Sequence, residues 1–410
     1  MDSNECLEQL TTALANLSFP LPDEREDTHQ LIVLGNGFDL ACGLPSRYAD
    51  FFRGVSQRVF PDPTDTGRAS WGEHLRGQGL TAWDVILCNR AADTDWYDVE
   101  GEIAKWVIDR PVAGVGRVER VARLMSGLEG SIPGWGDLPA DWARYNGGSL
   151  RGHVEADVAR YLMDTMPDYQ ATDWDRDSVL AVLLDELHLL ESRFMDYLSR
   201  AMRESDDYAS RATELMQVLE ESRSLPDYYR YQVTILNFNY TMPYMYDGRT
   251  LAYDTQTINI HGCLEDENAI FGIDGTKCLD DGSALPFTKT YRIMGESTCD
   301  VADIVFSPNS EFGRATSLIK FFGHSLNVAD YSYFQAIFDI VDLYGGNTTL
   351  VFYYRPYDPK DTNGAMAREE TMRRVTHLLL EYGKTLDNKD HGKNLVHRLL
   401  LEGRLHVQRI

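Results

Sequence analysis

Gly35-Asn36-Gly37-Phe38-Asp39, running on to Gly43-Leu44-Pro45, is a set of residues suited to holding a phosphate. Glycines let backbone approach a phosphate closely, and a helix that starts there offers free N–H groups and the positive end of its dipole. Asp39 suits either a helix cap or an acceptor for a ribose hydroxyl. Three more polar groups carry comparable chemistry: Phe238-Asn239-Tyr240-Thr241, His261-Gly262 and Gly323-His324-Ser325-Leu326. Each has a plain structural reading when taken singly. Gly-x-Gly makes tight turns, Asn239 stabilises a turn, His261 donates to a nearby carbonyl, and Ser325 caps the helix that follows. Position is what the four share, because each follows directly on an apolar run.

Those runs are the elements that must position the site. Leu31-Ile32-Val33-Leu34 reads as a buried strand, and strand character returns at 231–238, 257–260, 269–272, 318–322 and 349–353. A helix over 330–343 lies between the last two, which gives a strand-helix-strand unit. The tail is helical over 365–401, and 404–410 reads as a terminal strand. Between 56 and 228 the pattern is helical, with Gly/Pro-rich interruptions at 111–116 and 129–150. Its clearest helix, over 178–203, carries Leu180, Leu183, Leu184, Leu187, Leu190, Phe194 and Leu198 on one face. His188 stands at the edge of that stripe and reads as partly exposed. The expected architecture is α/β, a mainly parallel Rossmann-type sheet from 29–55 plus 229–360. It is split by the helical insertion 56–228, led by a helical segment and Pro/acidic linker over 1–28, and followed by a helical segment over 361–410. In such sheets nucleotides bind at the carboxyl ends of the strands, where all four polar groups fall.

Composition limits the partners. The 64 acidic residues against 39 basic give a formal net charge of −25, which disfavours nonspecific nucleic-acid binding. No apolar run approaches the length of a membrane span, and Met1 to Asp27 lacks the basic start and apolar centre of a secretory signal. Cytoplasmic location is expected. The six cysteines form no Cys-x-x-Cys pair and read as reduced thiols; no structural zinc or other metal site is expected.

Gly35-x-Gly37, Gly43-Leu44-Pro45, Asn239, His261-Gly262 and Gly323-x-Ser325-Leu326 occur in the order of the sirtuin motifs. More closely, GNGFDLACGLPSRYADFF, FNYT, IHG, FGID and GHSLNVADYSYF resemble the AbiH family of bacterial phage abortive-infection proteins. Trp96-x-Asp98-x-Glu100, within the insertion, resembles a further motif of that family. The resemblance implies a sirtuin-like core, and cleavage of NAD, as substrate, at the nicotinamide–ribose bond to halt an infected cell. It implies that Asn239 orients water and that His261 is the general base or holds a ribose hydroxyl. Gly35, Asn36 and Gly37 would then cradle the pyrophosphate, with Phe38, Asp39, Tyr240 and Thr241 beside them. Gly323, His324 and Ser325 would hold the adenosine ribose or its phosphate. Three positions depart from the sirtuin pattern. Asp39 replaces a serine, Ser46-Arg47-Tyr48 replaces Asp-Phe-Arg, and Thr241 replaces an aspartate. Without the four-cysteine zinc module of sirtuin deacetylases, protein deacetylation is not expected.

Two other readings stand beside this one. In the first, the chain senses a nucleotide without catalysis, and the insertion mediates self-assembly or engages a defence-system partner. In the second it is a metal-dependent nuclease or nucleotide hydrolase using Asp39, Asp98, Glu100 and Asp274. That reading requires the four carboxylates to converge. Asp98 and Glu100, two apart on a helix, point to different faces. Glu100 reads either as a solvated charge or as a group reaching from the insertion into the nucleotide site.

Overall fold

The computed structural model describes residues 28–59, 71–89, 98–108, 115–126, 154–166, 174–220, 231–242, 255–275, 278, 280–296, 304–308, 315–326, 330–386 and 389–410. Residues 1–27 of the lead-in expected over 1–28 lie outside them, as do Trp96 and Cys299, and Thr28 belongs to the first strand. Six strands form one parallel sheet: β1 (Thr28–Leu34), β2 (Tyr231–Asn237), β3 (Thr255–Asn259), β4 (Ala315–Phe322), β5 (Thr349–Tyr354) and β6 (Leu405–Arg409). Their spatial order is β3-β2-β1-β4-β5-β6. This is the doubly wound, Rossmann-type order, in which the chain reverses direction across the sheet between β1 and β4. The expected parallel α/β sheet is therefore present, and its terminal strand is the edge strand β6.

Burial on both faces explains the unbroken apolar run of β1. Leu31 and Val33 face one core with Ile319, Phe321, Phe334, Phe338 and Leu379, under the helices Tyr331–Ile340, Ala365–Gly383 and Lys389–Leu401. Ile32 and Leu34 face the other, with Phe38, Tyr208, Met216 and Ile235, under the helix Tyr208–Glu220. The helical region has its own core around Trp83, Tyr161, Leu183 and Phe194, which also takes in Ala269, Phe271, Ile273 and Phe287.

The long helix runs over Arg176–Glu204 and begins with Asp175 accepting the Ser178 N–H at 2.8 Å. Its predicted stripe is buried apart from Leu184, which packs partly buried at the rim. His188 is exposed.

One strand expectation fails. Ala269-Ile270-Phe271-Gly272 is not a strand; only Ile273 forms an isolated bridge, to Thr288. The Phe271 N–H donates to Glu191 Oε1 at 2.6 Å, and its carbonyl accepts from Arg292, so side chains replace ladder partners. Apolar side chains made the segment read as a strand, but they pack on the long helix instead. Among the described residues, no helix is long and apolar enough to cross a membrane. Cys42, Cys88, Cys263 and Cys278 are buried and take part in no disulfide among the described residues.

Candidate functional site

Strand register brings the four polar groups to one end of the sheet. Leu34 stands opposite Asn237 on one side and Phe322 on the other, and Asn237 stands opposite Asn259. The residues that follow (Gly35, Phe238, His261 and Gly323) therefore emerge side by side at the carboxyl edge. Gly35 N–H donates to Phe322 O at 3.0 Å, and Gly37 N–H donates to Gly323 O at 2.8 Å. A Cβ on Gly323, where φ is +73°, would lie 2.4 Å from Phe38 N. Glycine is needed here because the two loops touch backbone to backbone. The Phe38 N–H is likewise bound, to Gly35 O at 2.8 Å. These three amides are therefore not free to hold a phosphate.

Three asparagines set the β2 and β3 ends. Asn237 Nδ2 donates to Thr241 O at 2.7 Å, and Asn259 Nδ2 donates to Asn239 O at 2.7 Å and to Thr241 O at 3.0 Å. Asn239 N–H donates to Asn237 Oδ1, and its Nδ2 donates to Gly35 O at 3.1 Å. Asn239 is thus both a turn stabiliser and a fixed link to the glycine turn. Asn36 pairs with Ser46, whose hydroxyl donates to its Oδ1.

Asp39, Phe38 and Thr241 support this edge from within. Phe38 is buried in the core. Asp39 accepts from Tyr208 at 2.7 Å and from Thr241 at 2.9 Å, and burial pushes its carboxyl up to about 6. Tyr240 packs on Phe194 and Phe271 and is hydrogen-bonded through its hydroxyl to Tyr48.

A buried charged cluster occupies the space in front of β3 and β4. Lys289, at the start of the helix Lys289–Glu296, places its Nζ 2.8 Å from Asp330 Oδ1 and 2.7 Å from Glu100 Oε1. Asp330 is the N-cap residue of the helix Tyr331–Ile340, yet its side chain makes no capping bond. A cap of this kind is worth about 1 kcal/mol, and here the carboxylate turns instead to Lys289 and to His324 Nε2 at 3.4 Å. Ser325, expected as a cap for this helix, does not fill that place. Burial opposes the charge on Asp330, but Lys289 and the two histidines hold its carboxyl well below the usual range. Lys289 also loses solvation, yet Glu100 and Asp330 hold it protonated. Glu100 goes the other way: burial and the Asp330 charge outweigh Lys289 and raise its carboxyl.

The two imidazoles differ. His324 Nδ1 accepts the Leu326 N–H at 2.9 Å, which leaves its ring proton on Nε2, facing Asp330. Leu326 sits at φ +54°, a left-handed conformation that is uncommon for leucine. His261 Nε2 is buried without a hydrogen-bond partner, 3.8 Å from Asp330 Oδ1. Burial, then Lys289, lowers this imidazole to about 3, so it is neutral at physiological pH. Phe238 holds both rings edge-on, at centroid distances of 5.3 Å to His261 and 4.5 Å to His324, and Tyr333 closes on His261 at 5.9 Å.

The structure thus joins His261, His324, Asn239 and the glycine turn with three groups that sequence reasoning did not single out: Lys289, Asp330 and Tyr333. Asp330 stands inside GHSLNVADYSYF, a signal that was within reach; Lys289 follows no strand and had none. The insertion delivers Glu100 into the site, while Asp98 caps its helix by accepting the Gly101 N–H at 2.8 Å. The four carboxylates of the metal-dependent reading do not converge. Asp39 faces Tyr208 and Thr241, Asp98 its helix, Glu100 Lys289, and Asp274 the Ser332 hydroxyl. Among the described residues, no group of three or more His, Cys, Asp or Glu side chains is arranged to hold a metal.

The sequence matches the family described as bacteriophage abortive infection AbiH over residues 31–354. No curated protein and no solved structure matches the chain.

Proposed function

The chain belongs to the AbiH family of bacteriophage abortive infection, and from that membership and the site we propose that it is an effector that binds NAD and hydrolyses its nicotinamide–ribose bond. One observation carries the reading. A neutral imidazole, His261, is buried with a free Nε2 beside an ionised carboxylate, at the carboxyl edge of a doubly wound sheet. An unpaired buried nitrogen is costly, and a ribose hydroxyl or a water is the kind of group that would satisfy it.

Departure of nicotinamide leaves positive charge on the ribose, so the site needs no strong nucleophile. Asp330 and Glu100 supply negative charge where that cation develops. His261, too weakly basic to hold a proton at neutral pH, orients the attacking water or a ribose hydroxyl, and Asn239, anchored on Gly35, fixes the water's approach. Arg47 and Arg355 are exposed and both act on Tyr357, whose hydroxyl donates to Gly37 O at 2.9 Å, and these two cations would meet the pyrophosphate. The arrangement is sirtuin-like in the order of its motifs.

The test is nicotinamide release by the purified protein beside Asn239→Ala and His261→Ala variants. Release that both variants abolish supports the reading. Binding without release would make the chain a nucleotide sensor, and absence of binding would remove NAD as its ligand.

A further inference from the structure

The charges around Lys289 do not balance. One ammonium is shared by two carboxylates, Glu100 at 2.7 Å and Asp330 at 2.8 Å. Neither histidine makes up the difference. His324 accepts at Nδ1 and so carries a single ring proton, and His261 is neutral with its Nε2 unpartnered and aimed at Asp330. Arg292, on the same helix as Lys289, is matched by Glu191 in a two-pronged pair with Nη2–Oε2 at 2.8 Å. With both carboxylates ionised, the cluster carries one more negative than positive charge in a place largely closed to water, which disfavours it. Two remedies exist, a proton on Glu100 or a positively charged ligand. Glu100 is the member within reach of an incoming ligand: its side chain is 28% exposed, against 12% for Asp330 and 3% for Lys289.

We propose that Glu100 is the specificity residue of the site, selecting the oxidised, cationic pyridinium form of a dinucleotide over its neutral reduced form. The inference rests on the NAD-binding reading above and names the feature of the ligand that the site reads. On binding, the pyridinium supplies the missing positive charge, and Glu100 releases its proton to solvent as an ionised partner for the ring. A dihydropyridine of nearly the same shape brings no charge, so Glu100 keeps its proton and makes no ion pair with the ring. The insertion thereby contributes the element of the site that distinguishes the two.

The experiment compares equilibrium binding of carbocyclic NAD, which keeps the pyridinium charge and cannot be hydrolysed at that bond, with binding of NADH. Wild-type protein, Glu100→Gln and Glu100→Asp are measured, with circular dichroism to verify folding. The expected result is a preference of about tenfold or more for the cation in wild type, corresponding to about 1.4 kcal/mol. The preference falls to threefold or less in Glu100→Gln, through weaker binding of the cation alone, and is retained in Glu100→Asp. Equal binding of the two ligands by wild type, or an unchanged preference in a folded Glu100→Gln, overturns the inference and leaves the NAD-binding reading standing. Should Glu100→Gln not fold, the wild-type comparison decides alone. Failure of wild type to bind either ligand overturns both.

Discussion

Lys289 Nζ lies almost equidistant from Glu100 Oε1 and Asp330 Oδ1, at 2.7 and 2.8 Å, and so ties the helical insertion to the helix that follows β4. Removing the ammonium strands two carboxylates. Lys289→Met is expected to cost about 3–5 kcal/mol in urea unfolding, the range found when one member of a buried pair is deleted. Lys289→Met/Asp330→Asn should recover a large part of that loss, because the uncompensated charge goes with it. A single-variant loss below about 1 kcal/mol would mean that solvent screens the pair.

Asp39 gives a pH dependence whose sign can be worked out. Its folded-state carboxyl sits at about 6 against an ordinary 3.8, through burial. A raised carboxyl favours the folded state when protonated, so ionisation destabilises the fold as pH rises from about 4 to about 6. Above that window the penalty is complete, at about 3 kcal/mol. Asp39→Asn keeps an acceptor for Tyr208 and Thr241 and removes the charge. Its melting temperature is expected to exceed wild type at pH 8, with the advantage vanishing towards pH 4. A variant that melts lower at pH 8 would show that those two hydroxyls outweigh the burial.

Gly323 and Gly54 make a matched pair. Both have positive φ, +73° and +76°, but a Cβ on Gly323 would meet Phe38 N at 2.4 Å, while one on Gly54 would meet nothing within 4 Å. Gly323→Ala should cost roughly 2–4 kcal/mol and Gly54→Ala about 1 kcal/mol by chemical denaturation. Equal losses would show that conformational strain, rather than contact between the loops, sets the requirement.

The His324 ring predicts a spectroscopic signature. Because Nδ1 accepts the Leu326 N–H at 2.9 Å, nitrogen-15 spectra at neutral pH should show the proton on Nε2. Asp330→Asn should perturb that Nε2 resonance and leave the tautomer unchanged. A proton on Nδ1 would contradict the geometry of the Leu326 turn.

Much of the framework is legible in the sequence because it follows from local patterns. An unbroken apolar run such as Leu31–Leu34 can bury both faces, and a polar group just after it must emerge at the strand's carboxyl end. That logic reaches Gly35, Asn239, His261 and Gly323. It misleads at 269–272, where apolar side chains serve a helical core and Glu191 and Arg292 satisfy the backbone. It cannot reach Lys289, whose role exists only because the chain folds it between Glu100 and Asp330, residues 189 positions before it and 41 after it. No local spacing encodes that meeting.

The strand order has a consequence for synthesis. β1 is made early, yet its two neighbours are β2, beginning at Tyr231, and β4, beginning at Ala315. At ribosomal rates of about 5–20 residues per second, β1 waits on the order of tens of seconds for its partners. During that interval Leu31–Leu34, fully buried in the folded chain, has neither of the strands that flank it. The charged cluster, which needs Asp330, cannot exist until most of the chain has been translated. A copy that ends before Asp330 therefore lacks the carboxylate that Lys289, His261 and His324 face.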